Sequence, residues 1–444
     1  MHLCIPDTDT ATSYGNQEII MIIKQLTSIT AATMLALGIT ACGGGGGGGS
    51  TGTTSSLGAA SVGVITGFGS VFVNGVEYDT SGSDIHRDGE QASESDLAVG
   101  MVVKVRGSDD GVNGVAVSIE ADDEIEGIVL ANNIAPGASS GTLDIMGQTV
   151  TVDADLIFES KVAGINSIDE VAADTIVEVS GFSDGNGNVI ATRIEVKASD
   201  LASYLIEHTE GIEVKGRISA LDTGAMTLML GNMTVDYSGA MLDVDGSLAD
   251  ALYVEVKSVA GIDSNGNLVA SKVELENDGE AGHQGEQDED FEIRGVIATS
   301  FDGIAFTLDG TRIIVDSNTE LDDISPSDLT PGTEVEVEGR FDANGDLAAD
   351  EISMEDEADA EISGAIASVT SSGVNTGTIT LLDNTVILIN NDTIMHDDRD
   401  NGMTPVDHFN LTFLGSGDFV EVHVYTAANG DLIAIKLERD DTTM

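Results

Sequence analysis

The chain has 444 residues, of which 17 are basic and 78 acidic, and its formal net charge at pH 7 is −61. This length predicts several domains, because one hydrophobic core seldom organises more than about 300 residues. The charge argues against nucleic acids and anionic membrane surfaces as partners, since both are bound through lysine and arginine. A cation, a basic protein or a polysaccharide is the compatible ligand.

The N-terminal segment has the pattern of an export signal. From Met21 it reads MIIKQLTSITAATMLALGITAC, with Lys24 near its start and Ile-Thr-Ala before Cys42. The apolar stretch is too short to cross a membrane. The pattern resembles a bacterial lipoprotein signal, which implies cleavage before Cys42 and attachment of lipid to that residue; an ordinary secretory signal is the alternative. Residues 1–42 are therefore predicted to be a signal region with a lipobox.

The residues around this signal lead to further expectations. Residues 1–20 lack the basic start that such signals need, so the true start is predicted to be Met21. Cys42 is then the only cysteine of the mature chain, which excludes disulfides. Residues 43–60 are rich in Gly, Ser and Thr and are predicted to form a flexible tether with a reach of about 25 Å. Gly43 after the cysteine resembles an outer-membrane address, so we expect an outer-membrane lipoprotein facing the periplasm or the cell surface.

From Ser61 onward the sequence repeats one pattern five times. Each repeat opens with a glycine inside an apolar run, continues through a hairpin, and then alternates valine with charged residues, as in EVEVEG ending at Gly339. Alternation at period two is typical of a half-buried strand. An Asn-Gly pair follows, and between two alternating runs it is the strongest short signal for a type I′ hairpin. The opening glycines are Gly63, Gly127, Gly216, Gly295 and Gly364, and the Asn-Gly turns begin at Asn113, Asn186, Asn265, Asn344 and Asn429.

These signals give five strands per repeat and an all-β fold class. The prediction is a tandem array of about five small, five-stranded, OB-like β-barrel modules, of the oligonucleotide/oligosaccharide-binding kind, placed after the signal and the tether. The predicted modules cover residues 61–123, 124–200, 201–276, 291–360 and 361–444. An acidic linker is predicted at residues 277–290, where like charges repel and extend the chain.

The first repeat carries a specific resemblance. Residues 63–107 contain Gly-Phe-Gly-Ser, Val-Asn-Gly-Val and Ser-Asp-Leu-x-x-Gly-Met-x-Val. This stretch resembles a bacterial envelope domain of unknown function, number 5666 of its series. The later repeats keep Val-Glu-Val-x-Gly and Asn-Gly but lose Gly-Phe-Gly-Ser. The resemblance implies a lipoprotein with tandem copies of the domain, and it supplies no catalytic residue that could be carried over.

Several Asn-Gly turns imitate the start of a calcium loop, namely DGNGN, DSNGN and DANGD. Their oxygen ligands would be Asp184, Asp263, Asp342, Asn344 and Asp346. An EF-hand needs glycine at its sixth position and a bidentate glutamate at its twelfth. Here the glycine is fourth and a strand follows at once. The pattern favours turns, with weak calcium binding as the alternative.

The remaining motifs point away from catalysis. No P-loop, nucleophile elbow or dinucleotide-binding motif occurs. The stretch MHDDRD, from Met395 to Asp400, lacks the spacing of a metal site and is predicted to be a solvated surface. Phe68, Phe72 and Tyr78 are expected in a core rather than in a nucleic-acid interface.

We therefore expect a non-enzymatic envelope lipoprotein without a cofactor, which is anchored in the membrane by lipid and acts as a binding or spacer protein. The alternatives are a calcium-dependent adhesin or extracellular matrix component and an accessory subunit of an envelope enzyme.

Overall fold

The computed structural model describes residues 60–244, 246–276, 290–308, 311–322, 324–341, 346–354, 358–399, 405–427 and 429–441. The predicted signal region with Cys42, nearly all of the tether and nearly all of the acidic linker lie outside the described residues, as do Asp342 and Asn344. Within the described ranges, no helix is long and apolar enough to span a membrane.

The strands fall into five consecutive groups, modules 1 to 5. Module 1 has β1 Ala60–Phe68, β2 Val71–Val73, β3 Val76–Asp79, β4 Asp84–Arg87, β5 Glu90–Ala92, β6 Val102–Asp109 and β7 Asn113–Ala121. Module 2 has β8 Ile125–Asn132, β9 Gly141–Ile145, β10 Gln148–Val152, β11 Ile157–Ser160, β12 Ile176–Ser183 and β13 Asn188–Ala198. Module 3 has β14 Ile212–Asp222, β15 Thr227–Leu230, β16 Met233–Asp236, β17 Met241–Asp243, β18 Tyr253–Ser258, β19 Leu268–Val269 and β20 Lys272–Leu275.

The last two modules are built in the same way. Module 4 has β21 Asp290–Thr299, β22 Ala305–Leu308, β23 Thr311–Ile314, β24 Glu320–Asp322, β25 Glu334–Phe341 and β26 Leu347–Ser353. Module 5 has β27 Ala360–Ser371, β28 Gly377–Leu381, β29 Val386–Ile389, β30 Ile394–Asp397, β31 Phe419–Thr426 and β32 Leu432–Asp440. A short helix, α1 Leu201–Tyr204, follows module 2, and single 3₁₀ turns lie at Glu94–Asp96, Ile168–Glu170 and Leu411–Phe413.

All five modules share one pairing order. In module 1, β1 pairs antiparallel with β2 and β6, β2 with β3, and β6 with β7. Strands β3 and β4 both pair in parallel with β7, so together they form one interrupted third strand. The same closed circuit recurs in the other modules. The prediction of five-stranded OB-like barrels is confirmed.

The barrel interiors follow the alternation that the sequence displays. In β25, Val335 and Val337 are fully buried, while Glu336 and Glu338 between and after them face outward. Val, Ile and Leu make up most of each interior, and large aromatic side chains such as Phe68 and Phe306 are few. Burial of these apolar faces is the main stabilising term.

A β-bulge explains the glycine that closes the valine-alternating strand in modules 1, 2 and 4. The register of the fourth and fifth barrel strands shifts at Gly107, Gly181 and Gly339. A Cβ atom on Gly181 would lie 2.1 Å from the carbonyl oxygen of Ile190. Only glycine therefore lets the two strands approach at this point.

Replacing Gly181 with alanine should lower the free energy of unfolding by about 1–3 kcal/mol, because the methyl group has no space. Gly239→Ala is the matched control, since a Cβ at Gly239 meets nothing within 4 Å. Urea unfolding curves measure both. Equal midpoints for the two variants would contradict the close approach.

The barrels pack against one another within the described part of the chain. Strand β1 of module 1 pairs in parallel with β21 of module 4, and β8 of module 2 pairs antiparallel with β14 of module 3. Val64, Phe182 and Val296, from modules 1, 2 and 4, form one small apolar cluster. Module 5 is bonded to module 1 through Asn410, whose Nδ2 donates to the carbonyl oxygen of Phe68 at 3.1 Å. Modules far apart in sequence thus become neighbours.

Candidate cation-binding surfaces

The first calcium candidates, Asp184 and Asp263, lie in exposed hairpin loops where their carboxylates hold the turn. Oδ1 of Asp263 accepts hydrogen bonds from the backbone N–H groups of Asn265 at 2.7 Å and Asn267 at 2.9 Å. Asp184 accepts in the same way from the two residues at +2 and +4. The bonds from Asn267 and Asn265 lower the pKa of Asp263. These contacts favour the interpretation as turns.

The type I′ geometry predicted for the Asn-Gly turns is wrong at Asn113, Asn186, Asn265 and Asn429, and it occurs in the first hairpin of module 1. Asn74 and Gly75, in the first hairpin of module 1, have φ of 47° and 72°, as a type I′ turn requires. At Asn265 only the following Gly266 has positive φ, 87°. The loop there is wider than two residues, and its N–H groups are satisfied by Asp263 instead of by a tight turn.

Replacing Asp263 with alanine should therefore lower the melting temperature of module 3, because two backbone donors lose their charged acceptor. Ser264→Ala, in the same exposed loop, is the control and should be neutral. Thermal unfolding in about 0.5 M NaCl compares the two variants, because salt at this concentration screens general charge effects. An Asp263 variant as stable as the control would show that the carboxylate does not hold the turn.

The remaining described calcium candidate, Asp346, forms an ion pair within the protein. Oδ2 of Asp346 lies 2.7 Å from Nη1 of Arg312 on the neighbouring strand. Three groups of ligand atoms lie within 4.8 Å of one another in the part of the chain that the structure describes, and none includes Asp184, Asp263 or Asp346. The groups are Glu255, Glu274 and Glu276; Glu292, Glu336 and Glu338; and Glu361, Glu421 and His423.

Residues 395–399 of MHDDRD are not the solvated surface that their composition predicts, and Asp400 lies outside the described residues. Asp397 is 2% exposed, and its carboxylate accepts from two arginines. Arg439 donates at 3.0 Å and 2.6 Å, Arg399 donates at 2.7 Å and 2.9 Å, and the N–H of Val406 donates at 2.7 Å. Burial alone would raise the pKa of Asp397, but the hydrogen bonds from Arg399 and Arg439 hold it well below its usual range. The prediction failed because alternation along β30 places Asp397 opposite Arg439 of β32.

His396 lies in a charged contact between modules 2 and 5. Its Nε2 is 3.3 Å from Oε1 of Glu159 and its Nδ1 is 3.5 Å from Oε1 of Glu438. Burial lowers the pKa of His396, but the two carboxylates outweigh burial and raise it to about 9. In the same contact, Lys436 donates to the carbonyl oxygen of Leu156 at 2.8 Å. The contact therefore contains several charged groups that pair across the two modules.

An acidic cleft of about 450 Å³ opens between modules 1 and 3. Its lining is His86, Asp88, Gly89, Glu120, Asp122, Lys215, Glu255, Lys257, Glu274 and Glu276. Lys257 is already paired, at 2.6 Å with Glu213 and at 3.1 Å with Glu255. Burial lowers the pKa of Lys215, but Asp122, Glu124 and Asp88 raise it above its usual range. The lining carries six carboxylates against two lysines, which differs from the apolar lining typical of small-molecule sites.

For two carboxylates of the cleft, partial burial makes the ionised form less favourable. Burial raises the pKa of Asp88 and that of Glu276 above their usual values. A cation bound nearby would offset this cost, because an opposite charge favours the ionised carboxylate. Sequence reasoning missed the cleft, since its two walls come from residues 86–122 and 215–276, which lie far apart along the chain.

The shared barrel circuit defines a tandem OB-like β-barrel protein. The chain belongs to the family described as a domain of unknown function (DUF5666), whose model matches residues 62–120, 126–195, 215–274, 294–353 and 363–438. The predicted tandem family membership is thus confirmed. No curated protein matches the chain.

Two solved structures show a distant similarity. One is drosophila Unr CSD456, at 15% identity and a TM-score of 0.14, covering 52% of this chain and 97% of that chain. The other is a multidomain protein with nucleic acid binding domains from streptococcus pneumoniae tigr4, at 11% identity and a TM-score of 0.14, covering 52% of this chain and 74% of that chain. At these TM-scores neither similarity bears on function.

Proposed function

We propose that the protein is a non-enzymatic outer-membrane lipoprotein, anchored through Cys42, whose packed barrels present an acidic surface to a basic protein partner. The observation that carries this proposal is the cleft between modules 1 and 3, with its six carboxylates and two lysines. Its volume of about 450 Å³ suits a lysine or arginine side chain of a partner. The net charge of −61 would speed the encounter with a basic protein.

The cleft is the preferred docking place because three of its six carboxylates, on Glu120, Glu255 and Glu274, lie on ordered strands. Glu274 belongs to β20, and Glu255 belongs to the adjacent β18, directly opposite it. Strands hold side chains more precisely in place than loops do. A basic side chain entering the cleft would meet carboxylates from both modules, whereas a single barrel offers only one wall.

Binding of a lysine-rich oligopeptide to the full-length protein in detergent tests the proposal. Glu274→Gln with Glu276→Gln should weaken binding, because it removes two charges from the cleft. Glu207→Gln with Glu210→Gln removes the same charge from an exposed loop and is the matched control. If both double variants weaken binding equally, the peptide is held by net charge alone and the cleft is not a site.

The anchor is tested separately. Cys42→Ser should release the protein from the membrane fraction, and mass spectrometry of the wild type should find an acylated Cys42 at the new N-terminus. A wild-type chain without acyl groups, or a serine variant that remains bound to membranes, would refute the anchor without touching the cleft.

A calcium-dependent adhesin or matrix component is the second candidate, and the triad of Glu255, Glu274 and Glu276 is the observation that favours it. Hard oxygen ligands suit calcium. A specific ion at 100 times its Kd adds about 2.7 kcal/mol of stability. We expect millimolar calcium to add little to the melting temperature in 0.5 M NaCl, where the Debye length is roughly 4 Å. A rise of several degrees, lost in Glu274→Gln, would favour the adhesin instead.

A further inference from the structure

One cluster outside the cleft combines a histidine with two glutamates on a single sheet face of module 5. Glu361 of β27 lies directly opposite His423 of β31. Glu421 precedes His423 by two residues on the same strand, so its side chain points to the same face. One ligand atom from each residue lies within 4.8 Å of the other two. Nε2 of His423 is 3.8 Å from Oε1 of Glu421.

The histidine ring is oriented by a fourth residue that belongs to module 2. Nδ1 of His423 lies 2.6 Å from Oδ1 of Asp155. Because a carboxylate only accepts hydrogen bonds, this contact assigns the ring proton to Nδ1 and leaves the lone pair of the neutral ring on Nε2. Nε2 is the nitrogen that lies 3.8 Å from Oε1 of Glu421. A carboxylate behind a histidine is the arrangement that orients metal-binding imidazoles.

The neighbouring lysine does not direct its charge into the cluster. Lys436 is paired with His423 across β31 and β32, but its Nζ donates to the carbonyl oxygen of Leu156 at 2.8 Å and lies 3.2 Å from Oε1 of Glu438. Its charge is thus directed toward module 2. His423 is buried, Glu421 is half-buried and Glu361 is exposed, which leaves an open path from solvent to the ligand atoms.

The types of ligand atom in the cluster indicate which metal ion it would bind. One imidazole nitrogen and two carboxylates suit zinc, whose bonds to nitrogen and oxygen are about 2.0–2.2 Å and whose tetrahedral ligands lie roughly 3.4 Å apart. The observed 3.8 Å between Nε2 and Oε1 needs only a small side-chain movement to reach that spacing. Calcium prefers ligands that are all oxygen, and copper(I) prefers sulfur.

We propose that His423, Glu421 and Glu361 form a zinc site in which His423 binds through Nε2 and is held by Asp155. A water molecule completes the tetrahedron from the solvent side. Since Asp155 comes from module 2, zinc on His423 would strengthen the contact between modules 2 and 5. The site does not depend on the acidic cleft or on the lipid anchor.

Equilibrium dialysis of the full-length protein against Zn²⁺ in 0.5 M NaCl tests the site, with salt suppressing general binding to carboxylates. We expect one Zn²⁺ per chain to be held by the wild type and to be lost in both His423→Gln and Glu361→Gln. Glu361 is exposed, so its variant should fold normally even if His423→Gln loosens the interface. Asp155→Asn should weaken binding by roughly 10- to 100-fold.

His208→Gln is the matched control, because His208 lies in the segment between modules 2 and 3. Substitution with Co²⁺ adds a second readout, since a tetrahedral nitrogen-containing site gives visible absorption that exposed carboxylates do not. His208→Gln keeps all three ligands and should bind zinc like the wild type. Zinc bound equally by wild type, His423→Gln and Glu361→Gln, or no zinc retained by the wild type, would overturn the proposal.

Discussion

Replacing Asp397 with asparagine should lower the free energy of unfolding by about 3–5 kcal/mol, the usual loss when one partner of a buried charge network is removed. Arg439 and Arg399 both bind the carboxylate of Asp397 through two N–H groups. In asparagine an NH₂ group replaces one of the two carboxylate oxygens, so a hydrogen-bond donor would face the N–H donors of the two arginines. Arg439, 5% exposed and stacked over Phe409 at 4.5 Å, would keep its charge without a carboxylate partner.

Asp407→Asn is the matched control, since Asp407 is exposed in the same module and its loss should leave stability unchanged. Urea unfolding with limited proteolysis separates loss of module 5 from loss of the whole body. An Asp397 variant with the unfolding midpoint of the control would mean that the two arginines find sufficient partners elsewhere.

The contact between modules 2 and 5 should weaken as pH rises from 6.5 to 9. His396 has a folded-state pKa of about 9 against an ordinary value of 6.5. The folded state thus binds the proton more tightly, so the stabilisation is complete below pH 6.5 and is lost as pH rises through about 9. A difference of this size corresponds to about 3 kcal/mol.

The charged groups around His396 define the acid limit of the same contact. Glu159 and Glu438 face its ring, with Lys436 beside Glu438 and Arg193 beside Glu159. Burial raises the pKa of Glu438, but Lys436 and His396 outweigh it and lower the value to about 2 from 4.5. The stabilisation by Glu438 is present above pH 4.5 and is lost as pH falls toward 2. We expect the contact to be strongest between about pH 4.5 and 6.5.

His396→Gln should remove most of the loss of melting temperature between pH 6.5 and 9 and should lower stability at pH 6. His208→Gln should leave the alkaline slope unchanged. Differential scanning calorimetry at a series of pH values measures the slopes. A wild-type slope that persists in His396→Gln would assign the pH dependence to other groups.

The sequence predicted the barrels because their signals are local. Valines at alternate positions, such as Val335 and Val337, report a half-buried strand directly, and turn residues such as Asn74 and Gly75 mark the hairpins. The interrupted third strand was missed, since its second half in module 1, Asp84–Arg87, is short and polar. Its partners in β7 lie about 34 residues further along the chain.

Contacts between modules could not be predicted because their residues look like ordinary surface. Glu126 and Glu213 face each other across the β8–β14 pair, where directly opposed like charges normally destabilise a sheet. Lys257 lies 2.6 Å from Glu213 and offsets the repulsion. Likewise, Glu159 and His396 are separated by 237 residues, and nothing local links them.

The central claim is that the five barrels form one packed body, since the cleft and every charged contact between modules depend on it. Ser61 of β1 and Glu292 of β21 are direct partners in the parallel pair that joins modules 1 and 4, a spacing that a disulfide can bridge. The double variant Ser61→Cys, Glu292→Cys should form an intramolecular disulfide under mild oxidation, seen as a linked peptide in mass spectra of the monomer. A folded double variant whose two cysteines remain free thiols under those conditions would contradict the packed body.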